Sequence, residues 1–201
     1  MRRRANVVMR RDIVHRFLML VAAAAIANTA ALAEDRGGLR GTYALTGKSY
    51  CVRDPAALGF NPNFSPKGGP IKLFSFTVQG VMELRPDGTG TANVQDFSVD
   101  TGGGETGVTS YQFTYTTAGA DLVMKAVPGT YSHTILTGPI AGLTQVSDVA
   151  DVSGVIGDGA RTINFAQLVP TVQMVSRSDG KQYAQICNGS RILIRLGGAD
   201  R

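Results

Sequence analysis

The chain has 201 residues, with 20 Lys or Arg against 15 Asp or Glu and a formal net charge of +5. Six of the basic residues and one acidic residue lie within residues 1–33, so residues 34–201 hold 14 of each sign and are neutral in total. Binding to nucleic acids or to anionic membranes depends on a surplus of positive charge, and this balance excludes both classes for the chain after residue 33.

Residues 1–33 have the pattern of a secretory signal peptide. Six arginines precede an apolar run of eleven residues, 17–27, and Ala31-Leu32-Ala33 supplies a small-residue cleavage site. The apolar run covers about half of the roughly 20 residues that a transmembrane helix needs. We therefore expect cleavage after Ala33, no membrane span in the remaining chain, and a periplasmic or secreted protein.

Residues 34–201 are predicted to form a single all-β domain. All 25 glycines lie here, and they separate short runs that alternate between apolar and polar residues, as antiparallel strands do. The first predicted strand covers 41–52, and a long irregular loop, 53–70, contains four prolines. Phe60 and Phe64 in this loop are candidates for a lid over one end of a barrel. The alternative is a loop that packs only on its own end of the sheet.

The next strand is predicted from apolar residues at every second position, beginning at Phe74 and Phe76 and ending before the turn at 86–88. In the run that follows, the apolar positions shift by one residue between Val94 and Phe97. This shift predicts a β-bulge near Gln95 and Asp96.

Further strands are predicted at 110–115, 122–126, 131–137, 145–156, 161–168, 171–176, 182–187 and 191–196. Asn188-Gly189 is a strong signal for a two-residue turn, so the last two of these are predicted to form a hairpin. The segment 145–156 is the least regular of these, since Asp148 and Asp151 interrupt its valine-rich pattern, and the total is about nine or ten strands with short connections.

Cys51 and Cys187 are the chain's two cysteines and are predicted to form a disulfide, since exported proteins meet an oxidising environment. The bond would close a loop of 137 residues and connect the first strand to the penultimate one. Bridged Cα atoms lie within about 7 Å of each other, so the two ends of the sheet must meet. We expect an antiparallel barrel of about 8–10 strands, with a β-sandwich as the alternative.

Gly41-Thr42-Tyr43 opens the first strand, a long loop follows it, and the last strand carries Arg191 and Arg195. In these features the chain resembles the calycins, the lipocalin-like barrel superfamily, whose first strand carries Gly-x-Trp and whose last strand carries an arginine. The chain has no tryptophan, which departs from that pattern. The resemblance implies an eight-stranded barrel with a small apolar cavity. The chain as a whole also resembles small exported bacterial proteins, which implies nothing about activity.

The sequence offers little for catalysis. His133 is the one histidine after residue 33, no G-x-S-x-G motif accompanies it, and it shares strand parity with Tyr131 and Ile135. It is predicted to be packed or hydrogen-bonded within the sheet. One histidine and two paired cysteines leave too few ligands for zinc, so we expect no catalytic residue, metal or cofactor.

Asp100-Thr101-Gly102 is the tripeptide of aspartic proteases, and Val155-Ile156-Gly157 is similar to the apolar-apolar-Gly element of the small dimeric members. Because that mechanism needs two aspartates that share a proton, this chain would have to form a homodimer. The alternative is that Asp100 is an ordinary turn residue.

The sequence favours a non-enzymatic, exported protein that holds a small apolar ligand in a disulfide-linked barrel. Aromatic residues of the predicted strands are the candidate lining: Phe74, Phe76, Tyr111, Phe113, Tyr115 and Tyr131. A solidly packed interior without a cavity is the alternative for these residues. The other functions considered are a protein-interaction or protease-inhibitor-like envelope module that uses the 53–70 loop, and a dimeric aspartic protease that uses Asp100.

Overall fold

The computed structural model describes residues 39–197, and every regular element in this range is a β-strand. The strands are β1 (Gly41–Asp54), β2 (Lys72–Leu84), β3 (Thr89–Asp100), β4 (Gly103–Ala118), β5 (Asp121–Ala126), β6 (Ser132–Ile135), β7 (Thr144–Ser147), β8 (Val152–Gly157), β9 (Thr162–Ala166), β10 (Val172–Arg177) and β11 (Gln182–Arg195). The predicted signal peptide, residues 1–33, lies outside the described residues. Within them, none belongs to a helix that is long and apolar enough to cross a membrane.

The eleven strands form one antiparallel sheet that closes on itself. Eight of them make a ring in the order β1-β2-β3-β4-β5-β8-β9-β11, and the pairing of β1 with β11 closes it. The expectation of an all-β, barrel-like fold is therefore confirmed. Closure leaves no strand of the ring with an unpaired edge, which removes a site for edge-to-edge aggregation.

The wall opposite β1 is divided into two parts because β4 and β11 each pair with two strands along the edge that faces it. β4 pairs with β6 through residues 107–110 and with β5 through residues 113–118. β11 pairs with β10 through residues 182–186 and with β9 through residues 190–194. We call the two parts of this wall the β5–β8–β9 patch and the β6–β7–β10 patch.

The interior beside the β5–β8–β9 patch is a solid apolar core. Alternation along the strands points every second side chain inward, and here the inward side chains are large and apolar. Those with at most 1% of their surface exposed include Tyr43, Met82, Phe113, Leu122, Ile163 and Leu193. This packing stabilises the closed ring at one end.

The predicted bulge near Gln95 and Asp96 is wrong. β3 pairs with β2 in continuous register, with Asp96 opposite Val78 and Gln95 opposite Gln79. The strand keeps its alternation, and Phe97 points outward with 51% of its surface exposed. The apolar residues change from inward to outward positions along β3 because the inward side chains become polar at Asp96, where the solid core ends.

The predicted turn at Asn188-Gly189 is also wrong, since β11 runs without interruption from Gln182 to Arg195. Gly189 has another reason to be glycine. A Cβ atom at this position would lie 2.0 Å from the Ser49 hydroxyl oxygen and 2.7 Å from Nη1 of Arg191. The glycine makes room for polar side chains inside the barrel.

Cys51 and Cys187 lie directly opposite each other in the β1–β11 pair, with their sulfur atoms at disulfide distance and their Cα atoms 4.1 Å apart. The bridge therefore crosses the seam that closes the ring, as the sequence predicted, but it joins β1 to the last strand and not to the penultimate one. β1 ends at Asp54, whose buried carboxylate accepts hydrogen bonds from the backbone N–H groups of Ala56 and Gly59. These bonds fix the start of the long connection, 55–71.

Candidate ligand-binding cavity

A cavity of about 200 Å³, partly open to solvent, occupies the barrel interior beside the solid core. It lies where the two patches separate, because its lining includes β6 and β7 residues on one side and β5, β8 and β9 residues on the other. The connection 148–150 borders it, and the Gln173 side chain donates a hydrogen bond to the Asp148 carbonyl there. Of the five buried polar side chains in residues 39–197, four line this cavity: Ser49, Thr109, His133 and Gln145.

Aromatic and aliphatic side chains form one wall of the cavity. The rings of Phe74 and Phe76 stack with their centroids 6.2 Å apart, and those of Tyr111 and Tyr131 lie 6.3 Å apart. Burial raises the pKa of both tyrosines, so their hydroxyl groups stay neutral. Val78, Met124, Val152 and Phe165 complete the apolar surface.

Arg191 projects from β11 into the cavity, over the Phe76 ring at 5.6 Å from its centroid. Its Nη1 group donates to the carbonyl oxygens of Lys48 and Ser190 at 2.9 and 3.0 Å, and Nη2 donates to the Ser49 hydroxyl at 2.9 Å. All these acceptors are neutral. Burial therefore lowers the pKa of Arg191, with no carboxylate to oppose the effect.

Two glycines surround Arg191. Gly47 lies opposite it on β1, and a Cβ atom there would come within 2.3 Å of Cδ of Arg191. A Cβ atom at Gly189, two residues earlier on the same face of β11, would lie 2.7 Å from Nη1 of Arg191. A Cβ atom at Gly47 would also meet the Ser190 backbone oxygen at 2.4 Å, so this glycine serves the close approach of the two strands as well as the arginine.

Arg53 lies nearer the end of β1, with its guanidinium carbon 4.3 Å from the Phe74 ring centroid and 4.0 Å from that of Tyr183. Nη2 donates to Oε1 of Gln185 across a long 3.5 Å contact, and Nε is buried without a hydrogen-bond partner. The two aromatic faces hold this cation in place of a counter-ion.

His133 lies in a buried chain of polar groups. Its Nε2 is 3.2 Å from Oδ1 of Asp96, but the two atoms are out of line for a hydrogen bond. Its Nδ1 is 3.4 Å from Oε1 of Gln145. The same Gln145 oxygen accepts a hydrogen bond from the Tyr183 hydroxyl at 2.9 Å. Burial by itself lowers the pKa of His133, but Asp96, Gln145 and Glu105 outweigh it and raise the pKa above 6.5. Both ring nitrogens face oxygen atoms, and these neighbours favour the protonated imidazole.

The structure brings four of the six lining candidates to the cavity, namely Phe74, Phe76, Tyr111 and Tyr131. Phe113 and Tyr115 are instead buried in the solid core. Phe60 is buried and pairs with Pro66, Phe64 is 43% exposed, and neither lines the cavity. The polar residues of the cavity were not among the sequence candidates. In an alternating strand, a polar residue that points inward gives the same sequence pattern as one that points outward after a one-residue shift in register.

Asp100 lies at the β3–β4 turn. Its Oδ1 accepts a hydrogen bond from the backbone N–H of Gly102 at 2.6 Å, and its Oδ2 is 3.7 Å from Nζ of Lys72. These are the contacts of a turn residue. Residues 39–197 contain no group of three His, Cys, Asp or Glu side chains that could hold a metal ion.

Comparisons of the chain with protein-family models, with curated proteins and with solved structures found no match. The resemblance to calycins therefore stays a prediction from the sequence.

Proposed function

We propose that this protein is an exported, non-enzymatic binding protein that holds one small ligand with an apolar body in the cavity between the two patches. The observation that carries the proposal is the contrast inside one barrel, where a solid core adjoins a cavity of about 200 Å³. Packed interiors leave few voids larger than a water molecule. A cavity of this size beside dense packing is a feature that the fold maintains.

The size of the cavity limits the ligand. An engineered apolar cavity of about 150 Å³ in another protein holds one benzene molecule. The space here is therefore suited to a single ring, or an aliphatic chain of similar volume, with one small substituent. The stacked rings of Phe74 and Phe76 supply an apolar surface for such a body.

Two further features support the proposal. A disulfide across the closing seam suits an oxidising compartment, in agreement with the signal-peptide pattern of residues 1–33. His133, the only histidine of the predicted mature chain, has a protein oxygen within 3.4 Å of each ring nitrogen, from Asp96 and from Gln145. This arrangement favours a binding role for the cavity over proton abstraction from a substrate.

Filling the cavity tests the proposal. Val78 lines it and is 8% exposed, whereas Val81 on the same strand points outward and is 40% exposed. We expect Val78→Trp to abolish binding of the neutral probe 2-phenylethanol, measured by calorimetry, while the matched control Val81→Trp binds like the wild type. Equal binding by all three proteins would place the ligand elsewhere. Native mass spectrometry that finds only ligand-free protein, with no binding of small apolar probes, would refute the proposal.

A further inference from the structure

Two arginines, Arg53 and Arg191, line the cavity together with three carboxylates, those of Asp96, Glu105 and Asp148. Neither arginine forms an ion pair with any carboxylate in the described part of the chain. Asp96 instead faces His133, and Glu105 accepts a hydrogen bond from the Ser98 hydroxyl at 3.4 Å. Both arginines are therefore left without a direct counter-ion.

Arg191 is half-buried, and its partial desolvation without a nearby anion disfavours the charged form. The chain nevertheless provides Arg191 with a specific site, formed by Gly47, Gly189 and the Ser49 hydroxyl. The arginine itself is not needed to join the strands, since β1 and β11 already pair from Tyr43 to Asp54 and are linked by the disulfide. A feature that is costly for stability and closely fitted is typical of a functional site.

The hydrogen bonds of Arg191 come from Nη1, to Lys48 and Ser190, and from Nη2, to Ser49. Its Nε–H donates to no group within residues 39–197. We call the side of the guanidinium that carries Nε–H its free edge. An arginine's Nε and Nη groups can present two parallel N–H bonds, which match the two oxygens of a carboxylate.

We infer that the cavity binds a small organic monocarboxylate, with its carboxylate on the free edge of Arg191 and its apolar body against Phe76. This inference rests on the proposed function and specifies its ligand class. The guanidinium lies over the Phe76 ring, so the charged and apolar contact surfaces adjoin. Arg53, which contacts Phe74 in the same aromatic stack, adds positive potential to the cavity.

Three probes of similar size test the inference by calorimetry: phenylacetate, hexanoate and neutral 2-phenylethanol. We expect at least one acid to bind the wild type about tenfold or more tightly than the alcohol. The better acid reveals whether the ligand body is a ring or a chain. Arg191→Met should remove the advantage of the acid and keep binding of the alcohol, whereas the control Arg161→Met, at an exposed site outside the cavity, should bind like the wild type.

Arg191→Lys is a second variant that keeps the test possible if Arg191→Met does not fold. It keeps the charge but cannot offer two parallel donors, so we expect acid binding between that of the wild type and that of Arg191→Met. If the alcohol binds the wild type as tightly as the acids, or if Arg191→Met keeps the preference for acids, the inference is wrong while the proposed function stands. If none of the three probes binds, the inference is also wrong. In that case the Val78→Trp comparison has no wild-type binding to abolish.

Discussion

The two ends of the barrel interior are made from the same strands but differ in chemistry. β1, β2, β3, β4 and β11 run through both ends, with inward apolar residues beside the β5–β8–β9 patch and inward polar residues beside the β6–β7–β10 patch. The first end closes the ring by packing. The second encloses a cavity with cations that lack counter-ions. A single strand can thus serve stability along one half and binding along the other.

The disulfide should have the largest effect, because it acts on the wall that both ends share. We expect a Cys51→Ala/Cys187→Ala variant to lose about 4–5 kcal/mol of unfolding free energy, the chain-entropy value for a loop of this length. Urea unfolding of the variant and of the oxidised wild type measures the loss. Reduction should destabilise the wild type by a similar amount and leave the variant unaffected; a variant as stable as the oxidised protein would contradict this role.

Truncation of one aromatic ring at each end tests the contrast in packing. Phe113 is completely buried in the core, so Phe113→Ala should cost about 3–5 kcal/mol of unfolding free energy. Phe76 is half-buried beside space that is already open, so Phe76→Ala should cost about 1–2 kcal/mol. Denaturant unfolding compares the two. Equal losses would mean that the cavity end is packed as densely as the core.

The smallest expected effect is a pH dependence that belongs to the cavity end. Asp96, Gln145 and Glu105 face His133 and raise its pKa in the folded protein above 6.5. The folded state therefore binds the proton more tightly, and this stabilisation is fully present below about pH 6.5 and is lost as the pH rises through the folded pKa. We expect the unfolding free energy to decrease over that range, and the decrease to vanish in His133→Gln.

Gly107→Ala provides the matched variant for this prediction. A Cβ atom at residue 107 would lie 2.0 Å from Nε2 of His133, so the ring must move away from Asp96. An NMR titration should then show a lower pKa for His133 than in the wild type. An unchanged pKa in this variant would contradict the role assigned to Asp96.

Much of the fold could be predicted because it depends on local alternation and on the cysteines. Period-two runs such as the one from Phe74 locate the strands, and Cys51 with Cys187 requires the sheet to close. The bulge at Asp96 was predicted wrongly because the rule assumes that the inside of a sheet is apolar, and here the interior becomes polar. The turn at Asn188-Gly189 was predicted wrongly because the rule assigns Asn-Gly to a turn, whereas Gly189 leaves space for Ser49 and Arg191 within a continuous strand.

The binding residues were only partly predictable. Aromatic residues at inward positions identified four lining residues, but nothing local separates Phe76 in the cavity from Phe113 in the core. Arg191 had a usable signal. If Cys51 and Cys187 are paired across antiparallel strands, counting four residues outward from each places Gly47 opposite Arg191. A glycine opposite an arginine on the inward face indicates space reserved for the longer side chain.

The most direct test of the account is a crystal structure of the protein grown with phenylacetate. We expect electron density for the ligand between the two patches, with its ring against Phe76 and its carboxylate within hydrogen-bond distance of Nε and Nη2 of Arg191. Density on the barrel exterior only, or a cavity filled by water with Arg191 turned onto a protein carboxylate, would contradict the account.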